Sequence, residues 1–299
     1  MVATATKSRT KLCLISLFIF TLVGSVGSDN IRAQTNSGKI TFSTGIDFST
    51  AYLFRGIKQE RTGIIAQPFV DASFKIYSDT DGQGLQNFSL SIGQWNSLHS
   101  GQTGSSGPSQ NVGIWYESDF FTGVSLDIDN WEASITYTSY MSPNDTFGTT
   151  QELSLGLNMD DSVFLGNFSL NPHVLMAIEV SGGADNGSSE GVYLEFGVTP
   201  GTHLLNDRII VQFPVSLGLS LINYYENGVP KDSIGYLNNR YGFFSAGTIV
   251  TVPVPISKNF GEWELAGGVH FFSLGKYLET LNDNNGTQVV GLFGVNIGY

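Results

Sequence analysis

Apolar and polar residues alternate without a break along residues 39–55. The even-numbered positions from Ile40 to Phe54 are mostly aliphatic or aromatic, whereas the odd-numbered positions from Ser43 to Arg55 are mostly small or polar. A period of two residues predicts a β-strand, because successive side chains of a strand point to opposite faces. At about 3.3 Å per residue, such a strand is long enough to cross an outer membrane at a tilt.

The same alternation recurs eleven more times, which gives the even number of strands that closed bacterial barrels require. The predicted strands cover residues 39–55, 64–77, 86–97, 111–128, 131–141, 149–159, 168–180, 188–199, 208–221, 241–254, 262–274 and 287–299. Four prolines fall inside them, at positions 68, 172, 214 and 253, and each is expected to mark a bulge or a strand end.

The polar face of these strands separates a membrane barrel from a water-soluble β-sandwich. It consists mainly of Gly, Ser, Thr and Asn, whereas strands exposed to water usually carry many Lys and Glu. Only 13% of all residues are charged and 36 are glycine, against roughly 25% charged residues in ordinary soluble domains. The fold class predicted is therefore all-β, a single antiparallel up-and-down transmembrane β-barrel of about 12 strands.

Connection lengths indicate which end of the barrel faces outward. Outer-membrane barrels have short periplasmic turns and longer external loops. The three longest connections, at 99–110, 223–240 and 275–286, all follow odd-numbered strands. We therefore expect the N-terminus of the barrel to lie on the periplasmic side.

The first residues resemble a secretory signal. Lys7, Arg9 and Lys11 precede an apolar run over 12–23, which is too short to cross a bilayer as a helix. Small residues allow cleavage after Gly27 or after Ala33, and the sequence does not decide between them. With Ala33 as the boundary, residues 1–33 form a cleavable signal peptide, residues 34–299 form the barrel, and the single cysteine is removed.

The charge balance excludes some partners. The formal net charge is −12 at pH 7, and binding to nucleic acid needs clusters of Lys and Arg that this chain lacks. The expected partners are outer-membrane lipid and small solutes, and the oligomeric state stays open.

The C-terminal strand ends in an aromatic residue, as barrel proteins of bacterial outer membranes do. Phe293, Val295, Ile297 and Tyr299 share one face of that strand. We expect this strand to be recognised by the barrel-assembly machinery. Together with the export signal, it predicts the outer membrane of a Gram-negative-type bacterium as the location.

A more specific resemblance lies at Ser49-Thr50-Ala51-Tyr52-Leu53-Phe54-Arg55-Gly56-Ile57-Lys58-Gln59. It resembles the Tyr-x-Phe-Arg-Gly-Ile-x-Gln element of the TorF-like porin family, with Phe54, Arg55 and Gly56 as its motif residues. Segments 115–119, 127–129 and 136–140 are similar to a second block of that family. The resemblance covers the N-terminal half of the barrel and implies a porin-like role.

The polar face would give the lumen an excess of carboxylates. The candidate pore-lining residues are Asp47, Arg55, Asp71, Lys75, Glu117, Asp119, Glu132, Glu152, Glu179, Glu195 and Glu264. An aqueous pore lined in this way would concentrate cations. The main hypothesis is therefore a porin that allows passive diffusion of small cationic or neutral solutes.

The alternative is a closed barrel that acts as a structural or surface-interaction protein. In that case the acids pair with Arg55, Lys75 and hydroxyl groups and fill the interior. Aromatic residues Trp95, Trp115, Phe243 and Phe272 packed in the centre of the lumen would favour this second hypothesis.

The chain offers little for catalysis. It has four histidines, at positions 99, 173, 203 and 270, and we expect His173 and His270 to be hydrogen-bonded residues of the lumen. No cluster has the ligand spacing of a metal site. The sequence therefore predicts no enzyme, no cofactor and no bound metal.

Overall fold

The computed structural model describes residues 38–79, 84–101, 113–165, 169–184, 187, 189–205, 208–229 and 231–299. The predicted signal peptide, the predicted strand positions 111, 112, 168 and 188, and most of the predicted loop at 99–110 lie outside these residues. The strands are β1 (Ile40–Ser49), β2 (Tyr52–Phe54), β3 (Ile57–Glu60), β4 (Ile65–Ser78), β5 (Leu85–His99), β6 (Trp115–Ile128), β7 (Trp131–Met141), β8 (Thr150–Met159), β9 (His173–Ser181), β10 (Val192–Val198), β11 (Gly201–Leu204), β12 (Ile209–Gln212), β13 (Val215–Ile222), β14 (Tyr241–Val254), β15 (Glu262–Leu274) and β16 (Thr287–Gly298). The helices are α1 (Ser162–Leu165) and α2 (Lys276–Leu281), and a 3-10 turn covers Lys258–Phe260.

All strands except β2 and β3 form one antiparallel sheet, and β1 pairs with β16 to close it into a barrel. Two of the crossing strands are interrupted: β10 and β11 belong to one, with a break at Thr199 and Pro200, and β12 and β13 to another, with a break at Phe213 and Pro214. The barrel in the described residues therefore has twelve crossing strands. The predicted fold class is confirmed.

Prolines often mark irregular places in a β-sheet because they cannot donate a ladder hydrogen bond. Pro214 separates β12 from β13, and Pro172 directly precedes β9. Pro253 lies one residue before the end of β14, and the pairing between β4 and β5 skips Pro68. The prediction of a bulge or a strand end is therefore confirmed at Pro172, Pro214 and Pro253, whereas it is wrong at Pro68, which lies within β4 and leaves the register unchanged.

The outer surface of the barrel is apolar. Side chains that point outward and are exposed include Phe42, Val70, Ile92, Phe120, Ile135, Leu157, Phe196, Phe244, Val269 and Phe293. Aromatic residues lie near both rims, with Trp131 and Tyr299 at one end and Trp115 and Tyr241 at the other. A closed sheet with an apolar belt and aromatic girdles satisfies its backbone within the bilayer, so this is a membrane-spanning barrel of the outer-membrane type.

The described part of the chain contains no helix that is long and apolar enough to span a membrane.

The two ends of the barrel differ. One end, the loop end, carries the long connections that follow β1, β5, β7, β9, β13 and β15. The other end, the turn end, carries short connections such as Asp129-Asn130 between β6 and β7, but also the long connection between β8 and β9 that contains α1. The predicted asymmetry between long loops and short turns therefore holds only in part.

Small inward-facing residues let bulky neighbours lie flat against the barrel wall. The ring of Phe121 on β6 covers Gly93 on β5, and a Cβ atom at Gly93 would lie 2.7 Å from Phe121 Cε2. The ring of Phe243 on β14 covers Gly218 on β13 in the same manner. Glycine is required at these positions because any side chain would collide with the ring.

The first predicted strand is too long, since β1 ends at Ser49 rather than at residue 55. The amide of Thr50 still bonds to the carbonyl of Gly291 at 3.0 Å. The chain then turns into the barrel, where Tyr52, Leu53 and Phe54 are all buried. The alternation continues through this turn because β2 is also a strand, so periodicity alone could not locate the end of β1.

Candidate functional site

A hairpin formed by the chain itself occupies the lumen at the loop end. This plug hairpin consists of residues 51–60 and contains β2 and β3. Residues 51–57 are all buried, although the sequence predicted that this stretch would complete the first strand and turn into an outer loop.

The tip of the plug hairpin is a two-residue turn formed by Arg55 and Gly56. Their φ angles are 47° and 82°, and a hairpin turn with two positive φ values matches the twist of its strands. A left-handed conformation is unfavourable for arginine and costs about 1–2 kcal/mol. The contacts of the arginine side chain must offset this cost.

Arg55 is fastened to the barrel wall by a bidentate ion pair. Its Nη1 donates to Glu152 Oε2 at 2.6 Å and its Nη2 donates to Glu152 Oε1 at 2.9 Å. Both side chains are buried, with exposed fractions of 3% and 0%. Nη1 also donates to the hydroxyl of Tyr224 at 2.8 Å. Two parallel hydrogen bonds between charged groups form a strong and directional contact.

Aromatic rings surround the same guanidinium. Its central carbon lies 4.3 Å from the ring centroid of Tyr193, 4.9 Å from that of Phe54 and 5.3 Å from that of Tyr224. These distances allow attraction between the cation and the π-electrons of each ring. Tyr193 is on β10 and Tyr224 follows the neighbouring strand β13, so residues far apart in sequence contribute to one cage of Glu152, Phe54, Tyr193 and Tyr224 around the guanidinium.

Glu152 is held in place by further donors. The hydroxyl of Tyr140 on β7 donates to its Oε1 at 3.1 Å, and that of Ser154 donates to the same oxygen at 2.9 Å. The carboxylate is therefore oriented by the barrel wall independently of Arg55.

Helix α2, in the connection between β15 and β16, packs against the plug hairpin. Leu278 is fully buried, and it is the side chain that a Cβ atom at Gly56 would meet first. Asn282 Nδ2 donates to the carbonyl of Gly56 at 2.9 Å. The hydroxyl of Tyr225, from the connection between β13 and β14, donates to the carbonyl of Arg55 at 3.0 Å. Two loops thus grip the tip of the hairpin.

A second set of charges joins the base of the plug hairpin to the loop after α2. Lys58 Nζ lies 2.7 Å from Asp283 Oδ2, and Arg61 Nη2 lies 2.8 Å from the same oxygen. The hydrogen bond and positive charge of Lys58, together with the charge of Arg61, lower the pKa of Asp283. This contact is exposed, with 54% of the Asp283 side chain accessible, so solvent weakens it.

Strand register places ten of the eleven candidate pore-lining residues on the inward face of the barrel, and the plug hairpin places the remaining one, Arg55, inside as well. Glu117, Asp119, Glu152, Glu179, Glu195 and Asp71 are buried, and Arg55 lies among them at the tip of the plug hairpin. Asp47, Lys75, Glu132 and Glu264 are partly exposed. Whether these residues line a conducting pore stays a prediction.

Several buried acids have structural partners. Glu179 accepts hydrogen bonds from the amides of Ala184 at 2.6 Å and Gly191 at 2.7 Å, which fixes the connection between β9 and β10. Glu195 accepts a hydrogen bond from the hydroxyl of Tyr193. Arg55 is the only lysine or arginine among the buried residues that the structure describes, so carboxylates outnumber buried cations around the plug hairpin.

Water access differs between the two halves of the lumen. In the loop-end half, Tyr193, Glu195, Tyr224 and Phe243 are 0% exposed, so no aqueous path runs beside them. In the turn-end half, inward residues such as Lys75, Glu132, Asn158 and His173 are partly exposed. Among the described residues, the loop-end half of the lumen is therefore filled more tightly than the turn-end half.

The lumen aromatics agree only in part with the sequence prediction. Phe243 and Phe272 are buried, and Trp95 packs against the buried cluster that contains Tyr52. Trp115 was assigned to the wrong face, because it is 45% exposed and its Nε1 donates to Asn96 Oδ1 at 3.1 Å. A register shift between β5 and β6 places Trp115 opposite Leu98.

Ser97 and His99 form a pair that escaped the sequence analysis, although they are two residues apart on one face of β5. Ser97 Oγ and His99 Nε2 are 2.7 Å apart. Both residues are buried, and the ring of His99 stacks on Tyr116 at 4.5 Å. In the described structure no donor or acceptor orients His99 Nδ1. The ring of His99 also meets the ring of Tyr52 edge-on at 6.0 Å, so the pair contributes to the packing inside the barrel.

Within the described ranges, no group of three or more His, Cys, Asp or Glu side chains is arranged to hold a metal ion.

No family model and no curated protein matches this sequence. Among solved structures, the chain is similar to the NanC porin, with 9% identity and a TM-score of 0.44 over 86% of this chain and 98% of that one. It is similar to outer membrane phospholipase A from Escherichia coli, with 13% identity and a TM-score of 0.40 over 86% and 92% of the two chains. It is also similar to the translocator domain of the autotransporter NalP from Neisseria meningitidis, with 12% identity and a TM-score of 0.38 over 89% and 90%.

Proposed function

We propose that this protein is an outer-membrane channel for small cationic or neutral solutes, and that the plug hairpin holds it closed in this structure. The observation that carries the proposal is that a segment of the chain itself fills the loop-end half of an acidic lumen. The hairpin is held by the ion pair of Arg55 and Glu152, which is a polar contact that can be exchanged, and by apolar packing of Leu53 and Ile57, and it makes no strand pairing with the wall.

The electrostatics of the lumen support a preference for cations. Inward-facing acids lie on most of the crossing strands, and the lumen bases are Arg55 and Lys75. Low-dielectric walls concentrate the field of such acids and attract positive solutes. Removal of the plug hairpin would also remove Arg55, so the net charge of the lumen would become more negative.

The chain permits a clean deletion of the plug hairpin. Ser49 pairs with Ile65 at the end of β1 and β4. Deleting residues 51–60 leaves Thr50, Arg61, Thr62, Gly63 and Ile64 to connect them, and a connection of five residues is common in β-hairpins. We expect the deletion variant to fold and to give steady conductance steps in planar bilayers, with a reversal potential in a salt gradient that favours cations.

The intact protein should open rarely in the same bilayers, and Arg55→Ala should open more often. Lys231→Ala, which removes one positive charge from an exposed loop position, serves as the control and should behave like the intact protein. A folded deletion variant that never conducts would overturn the channel proposal. Equal conductance of the intact protein and the deletion variant would show that the hairpin does not close the pore.

The burial of the loop-end half also favours a second candidate function. A permanently closed barrel would serve as a structural or surface-interaction protein and would contact partners through its long loops. The same recordings separate the two candidates, because only a channel conducts after removal of the hairpin.

Export and assembly are part of the proposal. Tyr299 exchanges two backbone hydrogen bonds of 2.8 Å with Phe42, at the seam where the last strand meets the first. We expect Tyr299→Ala to refold in detergent as well as the intact protein but to accumulate less in the outer membrane of a Gram-negative host. Equal accumulation would contradict a role of this residue in recognition by the assembly machinery.

A further inference from the structure

The barrel wall contributes the carboxylate and one of the rings around Arg55, whereas Tyr224 lies in the connection after β13 and Phe54 belongs to the plug hairpin itself. Glu152 is on β8, Tyr193 on β10 and Tyr140 on β7, whereas the guanidinium belongs to the plug hairpin. The binding groups and the bound guanidinium thus belong to separate elements of one chain. If the hairpin moves away, Glu152, Tyr193 and Tyr140 stay attached to the strands of the barrel.

Glu152 and Tyr193 on the barrel wall are arranged to bind a planar cation even when the guanidinium of Arg55 is absent. The hydroxyls of Tyr140 and Ser154 both bond to Glu152 Oε1 and fix the plane of the carboxylate. The ring of Tyr193 provides a π-face 4.3 Å from the guanidinium carbon. Glu195 on β10 and Glu179 on β9 add negative charge on inward positions of neighbouring strands. Departure of Arg55 would leave Glu152 buried without its cationic partner, which is unfavourable unless another cation enters or the carboxylate takes up a proton.

We infer that Arg55 occupies a binding site that the barrel wall offers to guanidinium-bearing solutes, so that the plug hairpin is an intramolecular competitor of the cargo. This inference rests on the proposed channel function and names the class of solute that the channel would select. A guanidinium combines two parallel donors for Glu152 with a flat face for Tyr193. An ammonium group offers the charge without this shape, and a urea offers the shape without the charge.

The first test measures binding without any conductance. The Arg55→Ala variant of the refolded barrel empties the cage, and its thermal unfolding midpoint is followed in detergent by heat-modifiability on gels. Millimolar ethylguanidinium is the probe, with ethylammonium and the neutral ethylurea as controls. We expect ethylguanidinium to raise the midpoint by roughly 2–4 °C in a saturable manner, since a ligand that binds only the folded state stabilises it.

Matched variants identify the site. The intact protein should not respond, because Arg55 fills the cage, and Arg55→Ala/Glu152→Gln should not respond, because the carboxylate is gone. A response of equal size in all three proteins, or an equal response to ethylurea, would overturn the inference. If Arg55→Ala does not refold by itself, ethylguanidinium but not ethylurea should restore its refolding yield, and no restoration would also overturn the inference.

A second test separates this inference from the channel proposal. In planar bilayers, ethylguanidinium should reduce the current of Arg55→Ala more than ethylammonium does, and the Glu152→Gln change should remove the difference. Stabilisation without any current would support the cage and contradict the channel. Current without stabilisation or selective block would support the channel and contradict the cage.

Discussion

Arg55 and Glu152 are 97 positions apart in the chain, yet the guanidinium of one donates two hydrogen bonds, of 2.6 and 2.9 Å, to the carboxylate of the other. The contact joins a hairpin that follows the first barrel strand to a strand on a different part of the wall. A buried pair of this kind costs desolvation energy and stabilises the fold only if both partners are present. It therefore fixes the position of the hairpin rather than adding general stability.

Breaking this pair should be costly, and removing both partners should cost less. We expect Arg55→Met and Glu152→Gln each to lower the free energy of unfolding by about 3–5 kcal/mol, because each leaves an uncompensated buried group. The double variant should lose less than the sum of the two, since neither charge is then left alone. Urea titration of the refolded barrel, followed by tryptophan fluorescence, measures the coupling. Strictly additive losses would show that the two residues do not interact.

The barrel itself was predictable because its determinants are local. The predicted strands at 131–141, 241–254 and 262–274 match the observed β7, β14 and β15 residue by residue. Their lipid-facing positions are mainly apolar, and their lumen-facing positions are mainly small or polar, with Phe243 and Phe272 as large exceptions. The phase of this alternation also placed Glu152 and Glu195 on the inward face. A one-residue error would have moved every side chain to the other face.

The plug hairpin was not predictable from the same pattern, since its contacts are distant in sequence. Alternation assigned Arg55 to the lumen, but it does not reveal that Glu152, Tyr193 and Tyr224 meet there. Burial of Leu278 against Gly56 likewise depends on α2 folding inward from a connection more than 200 residues away. Gly56 is compatible with the second position of a two-residue hairpin turn, but the Arg55-Gly56 pair lacks the Asn or Asp that usually marks such a turn in a sequence.

Packing of Phe121 over Gly93 gives a prediction about the barrel wall. A Cβ atom at Gly93 would lie 2.7 Å from Phe121 Cε2 and 2.8 Å from Asp71 Cβ. We expect Gly93→Ala to lower the free energy of unfolding by about 1–3 kcal/mol through overpacking. Gly148→Ala is the control, since nothing lies within 4 Å of the added carbon. Equal urea midpoints for the two variants would contradict the packing.

Glu179 is expected to fix the backbone of the connection between β9 and β10, in addition to its position on the lumen face. Its two oxygens each accept one backbone amide, from Ala184 and from Gly191. Glutamine at this position retains one acceptor and turns an NH₂ group toward the other amide. We expect the affected amide to exchange its hydrogen roughly tenfold faster, as loss of a buried hydrogen bond implies.

Hydrogen-exchange mass spectrometry of peptides that contain Ala184 and Gly191 measures this effect. Glu190→Gln changes an exposed carboxylate in the same connection and should leave the exchange unchanged. Unchanged exchange in Glu179→Gln would show that the two amides do not depend on the charged carboxylate.

Asp283 gives the contact at the base of the plug hairpin a defined pH dependence. The hydrogen bond and charge of Lys58, together with the charge of Arg61, lower the pKa of Asp283 below the ordinary value of 3.8 for an aspartate. A carboxyl group with a lowered pKa in the folded state contributes its full stabilisation above pH 3.8, and the contribution is lost as the pH falls through the lowered value. Acid should therefore loosen the base of the hairpin only below pH 3.8 and leave it unaffected near neutrality.

Asp283→Asn reproduces the protonated state at neutral pH. Asn tolerates the positive φ of 59° at this position, so the backbone should not change. We expect the variant to open more often than the intact protein at pH 7 in planar bilayers, and its opening rate should not rise further on acidification through the lowered pKa of Asp283. The effect should be smaller than that of Arg55→Ala, because the Asp283 contact is exposed and screened by salt. If Asp283→Asn and the intact protein respond to acid in the same way, the base contact does not hold the hairpin.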